Sequence, residues 1–313
     1  MARTMVIALG GNAILKPWQR GTAEEQLENV RETCRHIARL IGEGHRVVIT
    51  HGNGPQVGNI LIQNEEASGV VPPLPLDMCG AESQGLIGYM IQRSLDNELR
   101  RQGLERPVVS LVTQVIVDRE DRAFAEPVKP IGPFYTAPRA RKLMQRKGYQ
   151  MREDAERGWR RVVPSPDPVG IYERQVIRWL VEAGVVVIAC GGGGIPVYLD
   201  EDGELRGAEA VVDKDLAGQR LARDVGAELL VMLTDVDRVA LNFGRPNQRW
   251  IERMTAAEAR RYMAEGHFRP GSMAPKVEAA IRFVEQGGQM AIIASLERAA
   301  EALRGEAGTS VVP

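Results

Sequence analysis

Short runs of apolar, often β-branched residues recur along the chain: MVIAL (5–9), RVVIT (46–50), PVVSLVTQVIV (107–117), VVVIAC (185–190), LLVMLT (229–234) and MAIIA (290–294). Unbroken apolar strands of this kind belong to a sheet covered on both faces, where neither side of the pleat meets water. Between the runs the apolar spacing changes to three and four. Thr22 and Glu25 form a T-x-x-E capping box, and Leu27, Val30, Cys34, Ile37 and Ile41 follow on one helical face. A second box, Thr255 and Glu258, opens a helix through Met263. The alternation of strand and helix predicts an α/β sandwich around a mainly parallel sheet.

Two stretches break the pattern. Residues 118–168 are charged and irregular and hold seven of the eighteen prolines. They read as an inserted subdomain, a lid following the strand at 107–117, within a single domain spanning 1–313. Phe134, Tyr135, Tyr149 and Trp159 argue for a folded insert over a disordered loop, because disordered segments are poor in aromatic residues. The second stretch, YLDEDGELR (198–206), centres on Asp202-Gly203 and reads as a hairpin.

A net charge of −1 gives no sign of a nucleic-acid footprint or a basic membrane face. The three cysteines, Cys34, Cys79 and Cys190, are far apart and set among apolar or small residues. They read as buried thiols in a reducing compartment, not as disulfides or a zinc site. The apolar run at the start is too short for a signal peptide, and no segment reaches transmembrane length. The expectation is a soluble cytoplasmic protein.

Glycine turns follow three of the apolar runs: Gly10-Gly11-Asn12, His51-Gly52-Asn53-Gly54, and Gly191-Gly192-Gly193-Gly194. In open α/β sheets ligands bind beyond the carboxyl ends of the strands, where bare backbone N–H groups and helix starts favour anions. Three such turns point to a phosphate-rich ligand. The GNGPQVG run (52–58) is one residue too long for the dinucleotide fingerprint, and no Gly-Lys pair exists to make a P-loop. Of the four histidines only His51 lies in a glycine turn, where a ring more naturally orients the loop than abstracts a proton. No metal cluster and no Ser-His-Asp or Cys-His signature is visible. Phosphoryl transfer to an acceptor that is already an anion fits chemistry without a base, because its catalysis is positioning and charge neutralisation.

Lysine scarcity singles out the cations for that task. Only six of the forty basic residues are lysine: Lys16, Lys129, Lys142, Lys147, Lys214 and Lys276. Lys142 and Lys147 lie in a charged run where arginine would serve. Lys129, Lys214 and Lys276 lie in EPVKPIGPFY, VVDKD and GSMAPK, and a compact ammonium aimed at phosphate does not exchange freely with a planar guanidinium. Asp213 and Asp215 flank Lys214 at a helix start, placed to hold lysines or to help hold magnesium on nucleotide phosphates. Lys276 falls in the first turn of another helix, where the dipole opposes a positive charge.

With these residues assembled, the chain resembles the carbamate kinases, a branch of the amino-acid kinase family. The likeness runs through ALGGNAIL (8–15), HGNGPQVG (51–58), CGAESQGLIGYMIQ (79–92), KPIGPFY (129–135), RRVVPSP (160–166), CGGGGIPV (190–197), VVDKDLA (211–217), LTDVD (233–237) and GSMAPK (271–276). The resemblance implies a three-layer αβα sandwich with a protruding subdomain and a homodimer. The implied reaction is ATP plus carbamate giving ADP and carbamoyl phosphate, with the reverse direction making ATP where arginine is fermented. By analogy, Gly10, Gly11 and Asn12 hold the transferring phosphoryl group, and Gly52, Asn53 and Gly54 hold carbamate. Lys214 and Lys276 neutralise the phosphates, organised by Asp215. Lys129 reaches in from the insertion in place of the first-strand lysine that many relatives carry; here Ala8-Leu9 precede the glycines. Gly191, Gly192, Asp213, Thr234, Asp235, Val236 and Met273 are expected around the nucleotide. Magnesium is expected on its phosphates, with Asp213 the nearest protein candidate. The chain departs from the family pattern at Ala274, where glycine is expected, and at Asp167, where a basic residue is common.

Other readings remain beside this one. A kinase of the same fold acting on another small acidic acceptor shares every feature above. A nicotinamide-dependent dehydrogenase is weakened by the failed fingerprint. A nucleotide sensor that keeps the fold is weakened because every proposed charged group is present together.

Overall fold

The computed structural model describes residues 2–154 and 157–313. The first part of the chain runs β1 (Thr4–Leu9), α1 (Ala23–Gly42), β2 (Arg46–His51), α2 (Gly54–Glu66), α3 (Leu76–Arg101), β3 (Val108–Ser110) and β4 (Gln114–Val117). Then come β5 (Lys129–Tyr135), α4 (Ala137–Lys147), β6 (Met151–Asp154), β7 (Gly158–Val163), β8 (Pro168–Ile171), α5 (Arg174–Glu182), β9 (Val186–Ile188), β10 (Ile195–Leu199) and β11 (Leu205–Gly207). The last part runs α6 (Lys214–Asp224), β12 (Leu229–Thr234), β13 (Val239–Leu241), β14 (Arg249–Ile251), β15 (Arg253–Thr255), α7 (Ala256–Ala264), α8 (Met273–Glu285), β16 (Met290–Ser295), α9 (Ala299–Leu303) and β17 (Thr309–Val312).

Eight strands form the main sheet in the order β15-β17-β16-β12-β1-β2-β9-β3, parallel at every pairing but β16 with β17. The apolar runs are unbroken because both faces are covered. In β1, Val6 and Ala8 enter one core with Ala217 and Leu221 of α6 and Val277 and Ile281 of α8. Met5, Ile7 and Leu9 enter the other, with Val30, Cys34 and Ile37 of α1 and Ile87 and Ile91 of α3. The result is three layers, α on β on α. Both predicted capping boxes form, at α1 and α7. The predicted hairpin forms as well, β10 against β11. All three cysteines are buried and free. No helix among the described residues is long and apolar enough to cross a membrane.

One run does not form a single strand. The stretch 107–117 divides into β3, in the main sheet, and β4, in a second sheet ordered β11-β10-β4-β8. Between them Thr113 donates its N–H to Gln84 Oε1 (2.8 Å), and its carbonyl accepts from Gln84 Nε2 (3.2 Å) and from the Ile195 N–H (2.9 Å), so a side chain joins the backbone bonding where the chain changes sheets. The 185–190 run likewise stops as a strand at Ile188, and Cys190 turns to a left-handed φ of 54°. Two strands at one end of the main sheet, β15 at the edge and β17 beside it, have no counterpart among the predicted strands.

The proline-rich stretch folds. β5, β7 and β6 make a three-stranded antiparallel sheet, with α4 packed on β7 through buried Ala140 and Leu143. Its hold on the sandwich is small. A satellite cluster joins Ile131 and Val163 from this sheet to Val57, Ile60, Leu76 and Cys79 of α2 and α3. Two buried aliphatic side chains contribute roughly 3–6 kcal/mol, before the entropy of ordering the insert is subtracted.

Candidate active site

Register gathers the glycine turns. Leu9 of β1 lies opposite Leu233 of β12 on one side and His51 of β2 on the other, so Gly10, Gly52 and Thr234 emerge side by side at the carboxyl edge. The 191–194 turn leaves β9, the next strand over. Close approach demands glycine at Gly10 and Gly191, where a Cβ would stand 2.9 Å from the Leu233 carbonyl oxygen and 2.3 Å from Nε2 of the His51 ring. A Cβ on Gly52 would stand 3.3 Å from Lys214 Cδ, a tight approach to a flexible stem. Gly11 is the opposite case: nothing lies within 4 Å of where its Cβ would point, so its backbone faces open space.

His51 is 1% exposed, with Nδ1 2.9 Å from the Gly52 carbonyl. Burial holds its pKa down to about 4, against the pull of that carbonyl and with help from the Lys214 charge. The ring is therefore neutral at pH 7, and as the Nδ1–H tautomer it donates to Gly52 O and ties the turn. From α3, Ser83 Oγ accepts from Asn53 Nδ2 (2.7 Å), and Gln84 Nε2 donates to Gly191 O (3.0 Å). Thus the ESQ segment inside CGAESQG braces two of the three turns.

The three singled-out lysines converge, each from a different element. Lys129 opens β5, Lys214 opens α6, and Lys276 sits in the first turn of α8. Asp215 accepts from Lys214 Nζ through Oδ1 (2.8 Å) and from Lys276 Nζ through Oδ2 (2.9 Å). Asp213 caps α6 by accepting the Asp215 N–H (2.9 Å) and takes Lys129 Nζ on its other oxygen (2.7 Å). The carboxylates supply what two cations at helix starts require. Burial opposes the charged form of Asp215, yet the two ammonium groups outweigh it and hold the pKa down to about 2. Burial also pulls on both lysines. At Lys214 the attraction of Asp215 and Asp213 prevails and the pKa rises; at Lys276 burial and the neighbouring Lys214 charge prevail and it falls.

Two clefts meet here. One, about 560 Å³, is lined by Gly10, Gly11, Asn12, Thr234 and Asp235. The other, about 360 Å³, is lined by Gly52, Asn53, Gly54, Gly192, Lys129, Asp213 and Asp215. Gly11, Lys214 and Lys276 belong to both. Gly191, Val236 and Met273 line neither: Gly191 lies under the His51 ring, and Met273 packs on the core beneath α8. Sequence reasoning did not single out Arg160, which lines the smaller cleft and donates to Gly132 O (3.0 Å), or Lys16, which lines the larger one and pairs with Glu32 (3.3 Å). Arg160 stood in the quoted RRVVPSP run; for Lys16 the available signal was lysine scarcity.

The profile of the amino acid kinase family matches residues 3–295. The carbamate kinase of Pyrococcus furiosus is 55% identical over 315 residues, covering all of both chains. That of Clostridium perfringens is 51% identical, covering 98% of this chain and 99% of the relative. Among solved structures, carbamate kinase from Giardia lamblia bound to AMP-PNP superposes with a TM-score of 0.94 at 44% identity, covering 99% of this chain and 98% of that one.

Proposed function

The chain belongs to the amino acid kinase family, and we infer that it is an ATP-dependent kinase catalysing reversible phosphoryl transfer between ATP and carbamate, giving ADP and carbamoyl phosphate. The observation that carries its mechanism is the convergence of Lys214 and Lys276 on Asp215 where the two clefts meet. The Gly10–Asn12 cleft, which reaches Thr234 and Asp235, takes the nucleotide tail. The Gly52–Gly54 cleft takes carbamate, and Gly11 faces the open space between them. A carbamate oxygen forms a bond to the terminal phosphorus as the bond to the bridging oxygen breaks, and ADP leaves with that electron pair. Carbamate is already an anion, so no proton moves, in keeping with a neutral His51 occupied by its own turn. Charge spread over the phosphoryl oxygens meets Lys214, Lys276 and Lys129, with the N-terminus of α2 adding its dipole.

Magnesium fits this site on the nucleotide, where it would neutralise phosphate charge. Among the described residues no cluster of three or more acidic, His or Cys side chains could hold a metal, and Asp213 already accepts from Lys129 and from the Asp215 N–H. We place the family's homodimer on the outer face of α3, where Met78, Leu86 and Tyr89 stand exposed. We place the enzyme in the cytoplasm, with its ATP-forming direction serving arginine breakdown. The test is ATP formation from ADP and carbamoyl phosphate with magnesium. Turnover that depends on both substrates is expected; binding of ATP without transfer to carbamate would overturn the reading.

A further inference from the structure

β5 lies along α2 for its whole length. At one end Lys129, Pro130 and Ile131 line the carbamate cleft beside Gly54, Pro55 and Val57. In the middle, a Cβ on Gly58 would stand 3.6 Å from the Gly132 Cα, so strand and helix touch through glycine. At the far end Glu65 accepts from Tyr135 Oη (3.0 Å) and from Arg139 Nη2 (2.7 Å), which ties the end of β5 and the start of α4 to the last turn of α2. The Glu65 side chain is only 11% exposed. Apart from this tie, the hold on α2 is mainly the two aliphatic side chains Ile131 and Val163, together with a more exposed pair of Arg139 Nη2 with Glu66 (3.1 Å).

We propose that Glu65 is a positioning residue for the transfer reaction: by clamping Tyr135 and Arg139 onto α2, it fixes the register of β5 that brings the Lys129 ammonium to Asp213. It touches no substrate. Eleven helical residues separate it from Gly54, about 16 Å along the axis. An unclamped β5 can tilt about the Gly58–Gly132 contact, and a shift of about 1 Å at Lys129 is enough to matter, because misplacement of that size can cost on the order of a hundredfold in rate. The clamp itself is one buried phenol–carboxylate hydrogen bond and one partly exposed ion pair. Burial and the Glu65 charge push the Tyr135 phenol up, so it stays a donor over the working range.

This inference rests on the role given to Lys129 above, and a double-mutant cycle separates the two. Glu65→Ala should lower kcat/KM for carbamoyl phosphate by about tenfold while the KM for ADP moves little. Glu65→Gln, whose single amide oxygen still accepts from one of the two partners, should recover part of the loss. In a Lys129→Ala background, Glu65→Ala should cost less than about twofold, because the group through which it acts is gone. Multiplying effects, or an unchanged kcat/KM in the single variant, would overturn the clamp and leave the role of Lys129 standing. If Lys129→Ala alone turned over at the wild-type rate, both would fall. Should Glu65→Ala not fold, Tyr135→Phe removes the same hydrogen bond with the ring retained, and the same cycle applies.

Discussion

The lysines of this site are held in two different ways. Lys214 and Lys276 extend from helices whose inner faces lie in the main core, and they share one buried carboxylate. Lys129 comes from a three-stranded sheet joined to the sandwich by a small cluster, its side chain 32% exposed and its partner Asp213 on the cleft wall. Two charges are thus built into the fold and one is delivered to it. The fixed pair needs Asp215 even without ligand, since two ammonium groups that close would repel. The delivered one can leave without exposing the core, which suits a cleft that must admit and release an anion.

The largest expected effect is on the fixed pair. Asp215→Ala leaves two buried ammonium groups uncompensated, and removing one partner of such a group costs about 3–5 kcal/mol. Chemical unfolding should show a loss of that size together with loss of turnover. Lys129→Ala, by contrast, should leave the unfolding midpoint within about 1 kcal/mol, because its pair with Asp213 is partly solvated. Equal destabilisation by the two variants would erase the distinction between built-in and delivered charge.

Lysine-to-arginine exchanges come next. At Lys214 and Lys276 two compact ammonium groups share one buried carboxylate, and a planar guanidinium at either position would displace the other. Turnover should fall by about 10²–10³-fold, the scale of losing one charge-stabilising donor, with folding kept. Lys129→Arg has room at the mouth of the cleft and should lose less. Steady-state rates of the three variants rank them, and a larger loss at Lys129 than at Lys276 would reverse the comparison.

A pH scan, read as the difference between wild type and a His51 variant, probes the fixed region. His51 has an ordinary pKa of 6.5 unfolded and about 4 folded. Above pH 6.5 both states are neutral and its contribution to stability is complete. As pH falls from 6.5 towards 4 the unfolded chain takes up a proton that the folded one refuses, so stability drops. The loss should be about 2 kcal/mol between pH 6.5 and 5. Asp215, held at about 2, stays charged throughout, so the lysine pairs should survive while the glycine turns loosen. Urea unfolding of wild type against His51→Gln measures it: parallel pH curves would show that His51 is not the group that titrates.

Both regions were legible in the sequence to different depths. The sandwich was plain because two-sided burial writes unbroken apolar runs, and the capping boxes fixed two helix starts to the residue. The lysines were found by their scarcity, independent of where they sit in the fold. What escaped follows from tertiary context. Nothing in PVVSLVTQVIV marks the point where Gln84, some thirty residues earlier, takes the N–H of Thr113 and shares its carbonyl. Met273 stands beside the charged loop in sequence, yet the turn of α8 directs it inward. The Glu65 clamp lay in a helix with no motif around it, and its partners lie more than seventy residues away or close to it.

The smallest effect belongs to a tie at the foot of the insert. Asp167, at the foot of the insert, pairs with Arg282 of α8 at 3.2 Å, and its N–H donates to Asp121 Oδ2. The departure expected at Asp167 thus meets a cation across the gap. Arg282 also holds Glu278 on its own helix at 2.6 Å, so it keeps a partner when Asp167 is neutralised. Both members of the Asp167 pair are substantially exposed, and such pairs are worth about 0–1 kcal/mol. Asp167→Asn should therefore shift the unfolding midpoint barely, and high salt should remove even that difference. It should also leave kcat/KM unchanged, because Asp167 bonds Arg282 and Asp121, not β5 or Glu65. A fall in kcat/KM comparable to that of Glu65→Ala would mean that the insert is steered from its foot as well as from its far end, and that the clamp is not the main control on the delivered charge.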